Sequence, residues 1–318
     1  MSPALNLHVV DKRLIADSIV LLELQAAGGG ELPEFTAGAH LQLQLPGGLS
    51  RAYSLCNDPA ERHRYQLAVH LDPASRGGSR AVHEAVAIGS ALQVCVPRNL
   101  FALDESAPHS VLVAGGIGIT PMLAMARRLQ SMSASWELHY ATRTPARCAF
   151  REELTSGPLA VASRLYFDDA PASERLDIAR MLAAVPDGAH LYVCGPAGLI
   201  DSMLATAQAR GWEAGRLHSE RFVAAPVVAV GERSFKVVLV RSGLTLDVPA
   251  DRSVMRVVHA AGVDLPVSCE QGVCGTCITD VISGRPDHRD QCLDEALREQ
   301  CFTPCCSRSL DDELHIDL

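Results

Sequence analysis

No stretch of the chain approaches the roughly 18 consecutive apolar residues that a membrane-spanning helix needs. A basic surplus is missing too: the formal net charge is -9, which argues against a nucleic-acid surface, where a positive stripe is expected. An acidic surface can instead steer a basic protein partner. Internal repeats and low-complexity tracts are absent, and no secretory leader is expected, since Met1 to Val10 has neither a basic start nor a long apolar core. The expected compartment is the cytoplasm. Cysteine is what the chain has in quantity. Its eleven cysteines, an odd and unevenly spread set, suit a reducing compartment in which some bind metal and the others pack in cores. With 48% hydrophobic and 20% charged residues over 318 positions, two or three globular domains are expected.

Three of the cysteines form Cys269-Glu-Gln-Gly-Val-Cys274-Gly-Thr-Cys277. Spacings of four residues and then two are the plant-type arrangement for a 2Fe-2S cluster, a one-electron centre. Gly272 and Gly275 let such a loop wrap tightly and bring backbone N–H groups toward the sulfurs. Zinc also takes four thiolates, but usually from paired knuckles that this stretch does not contain. A fourth ligand must lie downstream among Cys292, Cys301, Cys305 and Cys306. Cys292 and Cys301 fall in or beside a predicted helix around Leu293–Glu299. Cys305 and Cys306 follow it in a turn, where a thiol can swing toward a cluster more freely.

Upstream, Leu5 to about Leu103 is rich in short strands, such as Ile19–Leu24 and the alternating His40–Leu45, with Gly and Pro between them. That pattern predicts an antiparallel barrel. Two segments stand out within it. Arg51-Ala52-Tyr53-Ser54 offers a guanidinium for a phosphate and an aromatic face. Ser75-Arg76-Gly77-Gly78-Ser79 leads into a predicted helix Arg80–Val86, a possible anion site. On their own these residues fit equally well as a solvated Arg and a barrel-packing Tyr.

From Ser110 the texture is α/β. Strand Val111–Ala114 runs into Gly115-Gly116-Ile-Gly118-Ile119-Thr120-Pro121 and a helix Met122–Leu129, the setting in which backbone N–H groups meet a pyrophosphate. Pro121 takes the place of a third glycine, and Thr120 reads as an N-cap with proline after it. Further strands are expected at Glu137–Ala141, Leu165–Phe167 and His190–Cys194. The last ends in Cys194-Gly195-Pro196 before a helix Leu199–Ala209. Val223–Val230 reads as a linker, and its valines also suit an edge strand. Strands Phe235–Val240 and Leu244–Val248, a helix capped by Ser253 and ending near Gly262, and strand Ile278–Ile282 frame the cysteine loop.

Taken in this order, the five motifs resemble the reductases of the phthalate dioxygenase and vanillate O-demethylase type. These are ferredoxin–NADP reductase-like proteins with a plant-type ferredoxin at the C-terminus. The resemblance implies a flavin barrel over residues 1–104, an α/β nicotinamide domain over 105–225, a linker over 226–232 and a β-grasp ferredoxin over 233–318. It implies FMN held by Arg51, Ala52, Tyr53 and Ser54, by Val69 and His70, and by Gly77, Gly78 and Ser79. Arg51 would meet the phosphate, Tyr53 the ring face and Ser54 the neighbourhood of N5.

NADH would lie on Gly116, Gly118, Ile119, Thr120 and Pro121 and on Cys194, Gly195 and Pro196, with the Cys194 thiol near the ring. Asp168, with Asp169 beside it, suits a ribose 2′-hydroxyl, whereas Arg143 is a cation that could accept a 2′-phosphate. Glu220-Arg-Phe222 resembles an acidic-x-aromatic ending, so Ser54, Cys194, Glu220 and Phe222 are expected around the reacting rings, with Phe222 over the flavin. The fourth cluster ligand is implied to be Cys305, two residues before Ser307-Arg308, with Cys306 as a core thiol. Electrons would pass from NADH through FMN and the 2Fe-2S cluster to a Rieske-type oxygenase component. The rival class is an electron-transfer module, or a reductase serving another acceptor. A flavohaemoprotein relative is disfavoured because no globin-like helical stretch is present.

Overall fold

The computed structural model describes residues 4–73, 76–223 and 233–318. The expected linker 226–232 and Ser75 of the glycine loop lie outside them. Among the described residues no helix is long and apolar enough to cross a membrane. The chain divides into two compact units, Met1–Glu220 and Arg221–Leu318.

The first unit begins with strands β1 (Ala4–Ala16), β2 (Ile19–Ala26), β3 (His40–Leu45), β4 (Leu49–Ser54) and β5 (Tyr65–His70), then helix α1 (Gly78–Glu84) and β6 (Ala91–Cys95). They pair antiparallel in the order β4-β3-β6-β1-β2-β5. The two edge strands then meet: Leu55 bridges Leu67, and Cys56 N–H donates to Gln66 O at 3.0 Å. The sheet thus closes into a barrel, and closure removes the exposed strand edges. Leu22, Leu24, Leu41, Leu43 and Leu67 fill it, each completely buried. Burial of that kind stabilises by about 1.5–3 kcal/mol per side chain. Strict alternation in His40–Leu45 predicts polar residues facing water, yet only Gln44 is exposed. Gln42 is buried because its amide donates to Ser50 Oγ at 2.7 Å. The helix after Gly77 starts at Gly78, two residues earlier than expected, and its carboxyl end is held by Lys12, whose Nζ donates to Val82 O, His83 O and Val86 O at 2.6–2.9 Å.

An all-parallel sheet follows, from β7 (Ser110–Gly115), α2 (Ile119–Ser131), β8 (Trp136–Thr142), α3 (Arg151–Ser156), β9 (Ser163–Phe167), α4 (Ile178–Ala183), β10 (His190–Cys194), α5 (Ala197–Ala209) and β11 (Leu217–Glu220). Its order is β11-β10-β7-β8-β9. The period of two sends Leu112 and Ala114 to the α2 side and Val111 and Val113 to the α4 and α5 side. Both faces are covered, which is what a parallel sheet requires. The cluster on the α2 side also takes Ile19, Leu21, Ala68 and Phe101 from the barrel, so barrel and sheet share a core. Arg127 of α2 clasps the two parts by donating to Cys56 O and to both oxygens of Glu153. Thr120 is not the helix cap: it sits in the first turn, donating its hydroxyl to Ile117 O at 3.1 Å, and Gly118 takes the cap position. Strand β11 has no counterpart in the sequence reading.

The second unit holds β12 (Phe235–Leu239), β13 (Leu244–Val248), α6 (Val254–Ala260), β14 (Thr279–Ser283), β15 (Pro286–Asp287), α7 (Glu295–Arg298), β16 (Cys301–Phe302), β17 (Arg308–Ser309) and β18 (Glu313–Ile316). Its main sheet runs β13-β12-β18-β14-β16, with β12 and β18 parallel inside an otherwise antiparallel set. Helix α6 covers it, capped as expected by Ser253, whose Oγ accepts from Arg256 N–H. Arg308, almost fully buried, donates to Arg252 O, Arg233 O and Pro249 O and lies 5.1 Å from the Phe235 ring centre. A buried guanidinium is tolerated there because several carbonyls take its protons.

Candidate functional site

Barrel closure brings together segments that are far apart in sequence. Arg51–Ser54 end β4, Val69 and His70 end β5, and these are the two strands that meet at the seam. Arg51 is braced by donation to Ser50 O at 2.7 Å and to Arg76 O at 3.1 Å. It lies against Gly78 so closely that a Cβ there would stand 2.5 Å from Arg51 Cγ. Glycine is thus required for Arg51 to reach the turn. Ser79 Oγ accepts from Asp72 N–H at 3.2 Å, and His83 of α1 bonds to Val69 O at 2.9 Å. Ala52 and Tyr53 are half-buried; burial pushes the Tyr53 hydroxyl up to about 12, against the pull of Arg51. Burial, followed by the positive charge of Arg147, lowers the pKa of His70. A guanidinium at a glycine turn, with a half-buried tyrosine beside it, suits a phosphate joined to a flat ring.

In the sheet, β7 leads to β8 and β9 on one side, and the chain then returns to place β10 on the other. The strand order therefore switches between β7 and β10, where ligands bind at the carboxyl ends of open α/β sheets. The two expected loops flank that point. A Cβ on Gly118 would collide with Cys194 O and stand 2.7 Å from Gly195 N, and one on Gly115 would stand 2.6 Å from Pro196 Cδ. The loops interlock through absent side chains, whereas nothing lies within 4 Å of a Cβ on Gly116. Ile119, Thr120 and Pro121 form the buried first turn of α2. Asp168 and Asp169 follow β9, their N–H groups donating to Thr142 O at 3.0 Å and Arg143 O at 3.3 Å. The strand end that carries Arg143 is thereby tied to the acidic pair.

Glu220 joins the two sites. It pairs with Cys194 across β10 and β11, and its Oε2 accepts from Ser54 Oγ at 3.3 Å. Burial raises its carboxyl to about 8 while the Ser54 hydrogen bond opposes the rise. Cys194 is fully buried, and burial, reinforced by Glu220, raises its thiol well above the usual range. A neutral thiol packed this way shapes the site rather than acting as a nucleophile. Phe222 belongs to the second unit, just past β11, and is exposed.

The cysteine loop is irregular, with Glu270, Gly272 and Gly275 at positive φ. Cys274, Cys277 and Cys305 are buried and Cys269 partly so. Cys269 is pulled down by hydrogen bonds from Cys274 and Cys305, whose thiols rise in return, and Cys305 also bonds to Cys277. The N–H groups of Gln271 and Val273 point at Cys269 Sγ from 3.3 and 3.5 Å. Among the described residues no three His, Cys, Asp or Glu side chains surround one ion-sized point. Four converging thiols with backbone donors fit a cluster that carries negative charge on its sulfurs. Cys301 points away, toward Asp280 Oδ1 at 3.2 Å.

A switch-point crevice joined to a barrel seam in one unit, and converging thiols in the other, define a modular electron-transfer reductase. Two family models match, the oxidoreductase NAD-binding domain over residues 112–204 and the 2Fe-2S iron-sulfur cluster binding domain over residues 237–309. The vanillate O-demethylase oxidoreductase of Pseudomonas sp. (strain HR199 / DSM 7063) is 49% identical over 308 residues, 96% of this chain and 97% of the relative. The solved structure of phthalate dioxygenase reductase, described as modular for electron transfer from pyridine nucleotides to [2Fe-2S], is 40% identical, with a TM-score of 0.74 over 99% of this chain and 98% of that one. An intact type IV self-sufficient cytochrome P450 monooxygenase is 38% identical with a TM-score of 0.90; 99% of this chain matches, spanning 41% of that protein. The chain belongs to the vanillate O-demethylase reductase and phthalate dioxygenase reductase family.

Proposed function

We propose that the chain is the NADH-dependent reductase component of a Rieske-type oxygenase or O-demethylase system. The observation that carries the reading is the Ser54–Glu220–Cys194 connection, which sets the barrel seam beside the switch-point crevice within one compact unit. Hydride transfer needs two rings stacked within reach and no protein nucleophile. The seam residues would hold FMN, whose chemistry is to accept a hydride and give up electrons singly, and Cys269, Cys274, Cys277 and Cys305 would hold a 2Fe-2S cluster, whose chemistry is one-electron transfer.

Arg51, with Gly77, Gly78 and Ser79, binds the flavin phosphate, and Tyr53 supports the ring. Val69 and His70 line the ring's polar edge. Gly116–Pro121 and Cys194–Pro196 receive the dinucleotide, and Asp168 accepts from the ribose 2′-hydroxyl, favouring NADH. Glu220 holds a proton near neutral pH, and the Ser54 hydroxyl ties its Oε2 to the seam. Names of relatives such as vanillate O-demethylase oxidoreductase and phenoxybenzoate dioxygenase subunit beta support an oxygenase as acceptor, and the loop around Cys269–Cys277 is the proposed outlet.

The reconstituted protein should reduce cytochrome c rapidly with NADH and much more slowly with NADPH. Absence of NADH-driven reduction while the cluster absorption is intact would overturn the reading.

A further inference from the structure

The segment that follows β15 packs against the cysteine loop. A Cβ on Gly272, between Cys269 and Cys274, would stand 2.9 Å from Asp290 Cα, and Gln291 N–H donates to Gly272 O at 2.9 Å. The Asp290 side chain is completely buried. Its Oδ2 accepts from Leu293 N–H at 3.0 Å and lies 3.5 Å from the Arg298 guanidinium. Its Oδ1 has no hydrogen-bond partner among the described residues and faces His288 Nδ1, also buried and unpartnered, across 3.4 Å.

Proton counting decides what belongs in that gap. His288 Nε2 is 3.1 Å from Arg298 O, and a carbonyl only accepts, so Nε2 carries a proton. A neutral ring would then turn the bare Nδ1 lone pair toward a carboxylate lone pair, leaving two buried acceptors face to face. One further proton on Nδ1 makes the contact an ion pair. The His288 side chain is 16% exposed, so water can deliver and remove that proton. The other charged and titratable neighbours are placed differently. Arg298 of α7 holds the far carboxylate oxygen and Asp290 O. Arg289 meets Asp287 Oδ2 at 2.7 Å, and Arg308 stands opposite Asp287 across β15 and β17. Cys292 and Cys306 feel the Asp290 charge, and burial pushes the Cys292 thiol well up.

We propose that His288 and Asp290 hold a proton more tightly when the iron–sulfur centre is reduced, so that electron uptake draws one proton from water onto His288 Nδ1 and electron release returns it. The inference rests on the reading that the cysteine loop carries a 2Fe-2S cluster. Reduction adds one negative charge on the loop side of the pair, which favours the imidazolium. By linkage, the proton favours the reduced centre equally. Asp290 is the positioning residue and His288 the proton carrier.

The test is a reductive titration of the full, reconstituted chain at several values between about pH 6 and pH 9, with the cluster followed by electron paramagnetic resonance and the flavin by absorption. The cluster midpoint should fall as pH rises. His288→Gln can still donate to Arg298 O but carries no charge; it should keep the cluster spectrum, lower the midpoint at the acid end and remove the slope. Asp290→Asn should raise the midpoint at the alkaline end and move the slope to lower pH. The flavin midpoint should match the parent's in both variants. A parent midpoint that is flat across the range overturns the inference. So does a slope that survives in His288→Gln, which would assign the proton to another group such as Cys306. An unmoved slope in Asp290→Asn is equally contrary, and that comparison stands even where His288→Gln does not load its cluster. A parent that binds no cluster, by contrast, overturns the reading of the cysteine loop itself.

Discussion

The two units position their chemistry by opposite means. In the first, the proposed site residues sit at the ends of regular strands and helices, where sheet register decides what meets what. Ser54 and Glu220 are 166 residues apart and reach each other because β4 closes a barrel and β11 extends a parallel sheet. In the second, three of the four proposed thiols lie on one loop without regular structure, three of whose residues have positive φ, and covalent spacing decides how those three meet. The first site is prepared by the fold, whereas the second depends on its ligands to hold it. Losses of single groups should therefore act differently in the two units.

The largest effect is expected in the loop. Cys305→Ser should abolish the cluster's absorption shoulder and the reduction of cytochrome c while leaving flavin binding and flavin reduction by NADH intact. Visible spectra and anaerobic NADH titration check this. Survival of the shoulder would mean that another thiol completes the site.

Next is a glycine in the prepared site. Gly118→Ala places a methyl against backbone atoms of Cys194 and Gly195, which cannot yield as side chains do. The expected cost is about 2–4 kcal/mol of stability, with NADH affinity reduced by about tenfold or more and the cluster spectrum unchanged. Thermal unfolding and binding titrations would register it, and a variant as stable as the parent would contradict the interlocking of the two loops.

The legibility of the chain follows the same division. Cys269, Cys274 and Cys277 stood out as proposed ligands because their spacing lies within one short stretch of sequence. Cys305 was singled out only through resemblance, since the residues alone favoured it and Cys306 alike over Cys292 and Cys301; the structure turns Cys301 toward Asp280. Strand periodicity located β7, β8, β9 and β10. Strand β11 escaped because Leu217–Glu220 is short and only partly buried, with no alternation to betray it. Contacts such as Lys12 with the end of α1, or Arg127 with Cys56 and Glu153, have no local signal at all. A single long cation could have met many carbonyls, and topology alone selects among them.

The smallest expected effect concerns Glu220. Burial raises its folded pKa from the ordinary carboxylate value of 4.5 to about 8, so the folded protein holds a proton that the unfolded chain releases between those values. The stabilising contribution is complete below the unfolded value and is lost as pH rises toward 8. Glu220→Gln should remove that loss, so the parent should fall behind the variant by on the order of 2–4 kcal/mol between pH 5 and pH 8. Denaturant unfolding across that range checks the sign. Parallel profiles for the two proteins would mean that the carboxylate is solvated in the folded state.

In the proposed order of transfer, the prepared site takes the hydride first and the thiol loop then carries electrons out. Anaerobic rapid mixing with NADH, followed at flavin and cluster wavelengths in the parent and in Cys305→Ser, tests this most directly. Flavin bleaching should precede cluster bleaching in the parent, and the flavin phase should persist at nearly the same rate in the variant. Cluster bleaching ahead of the flavin, or loss of the flavin phase in a folded, flavin-loaded variant, would contradict it.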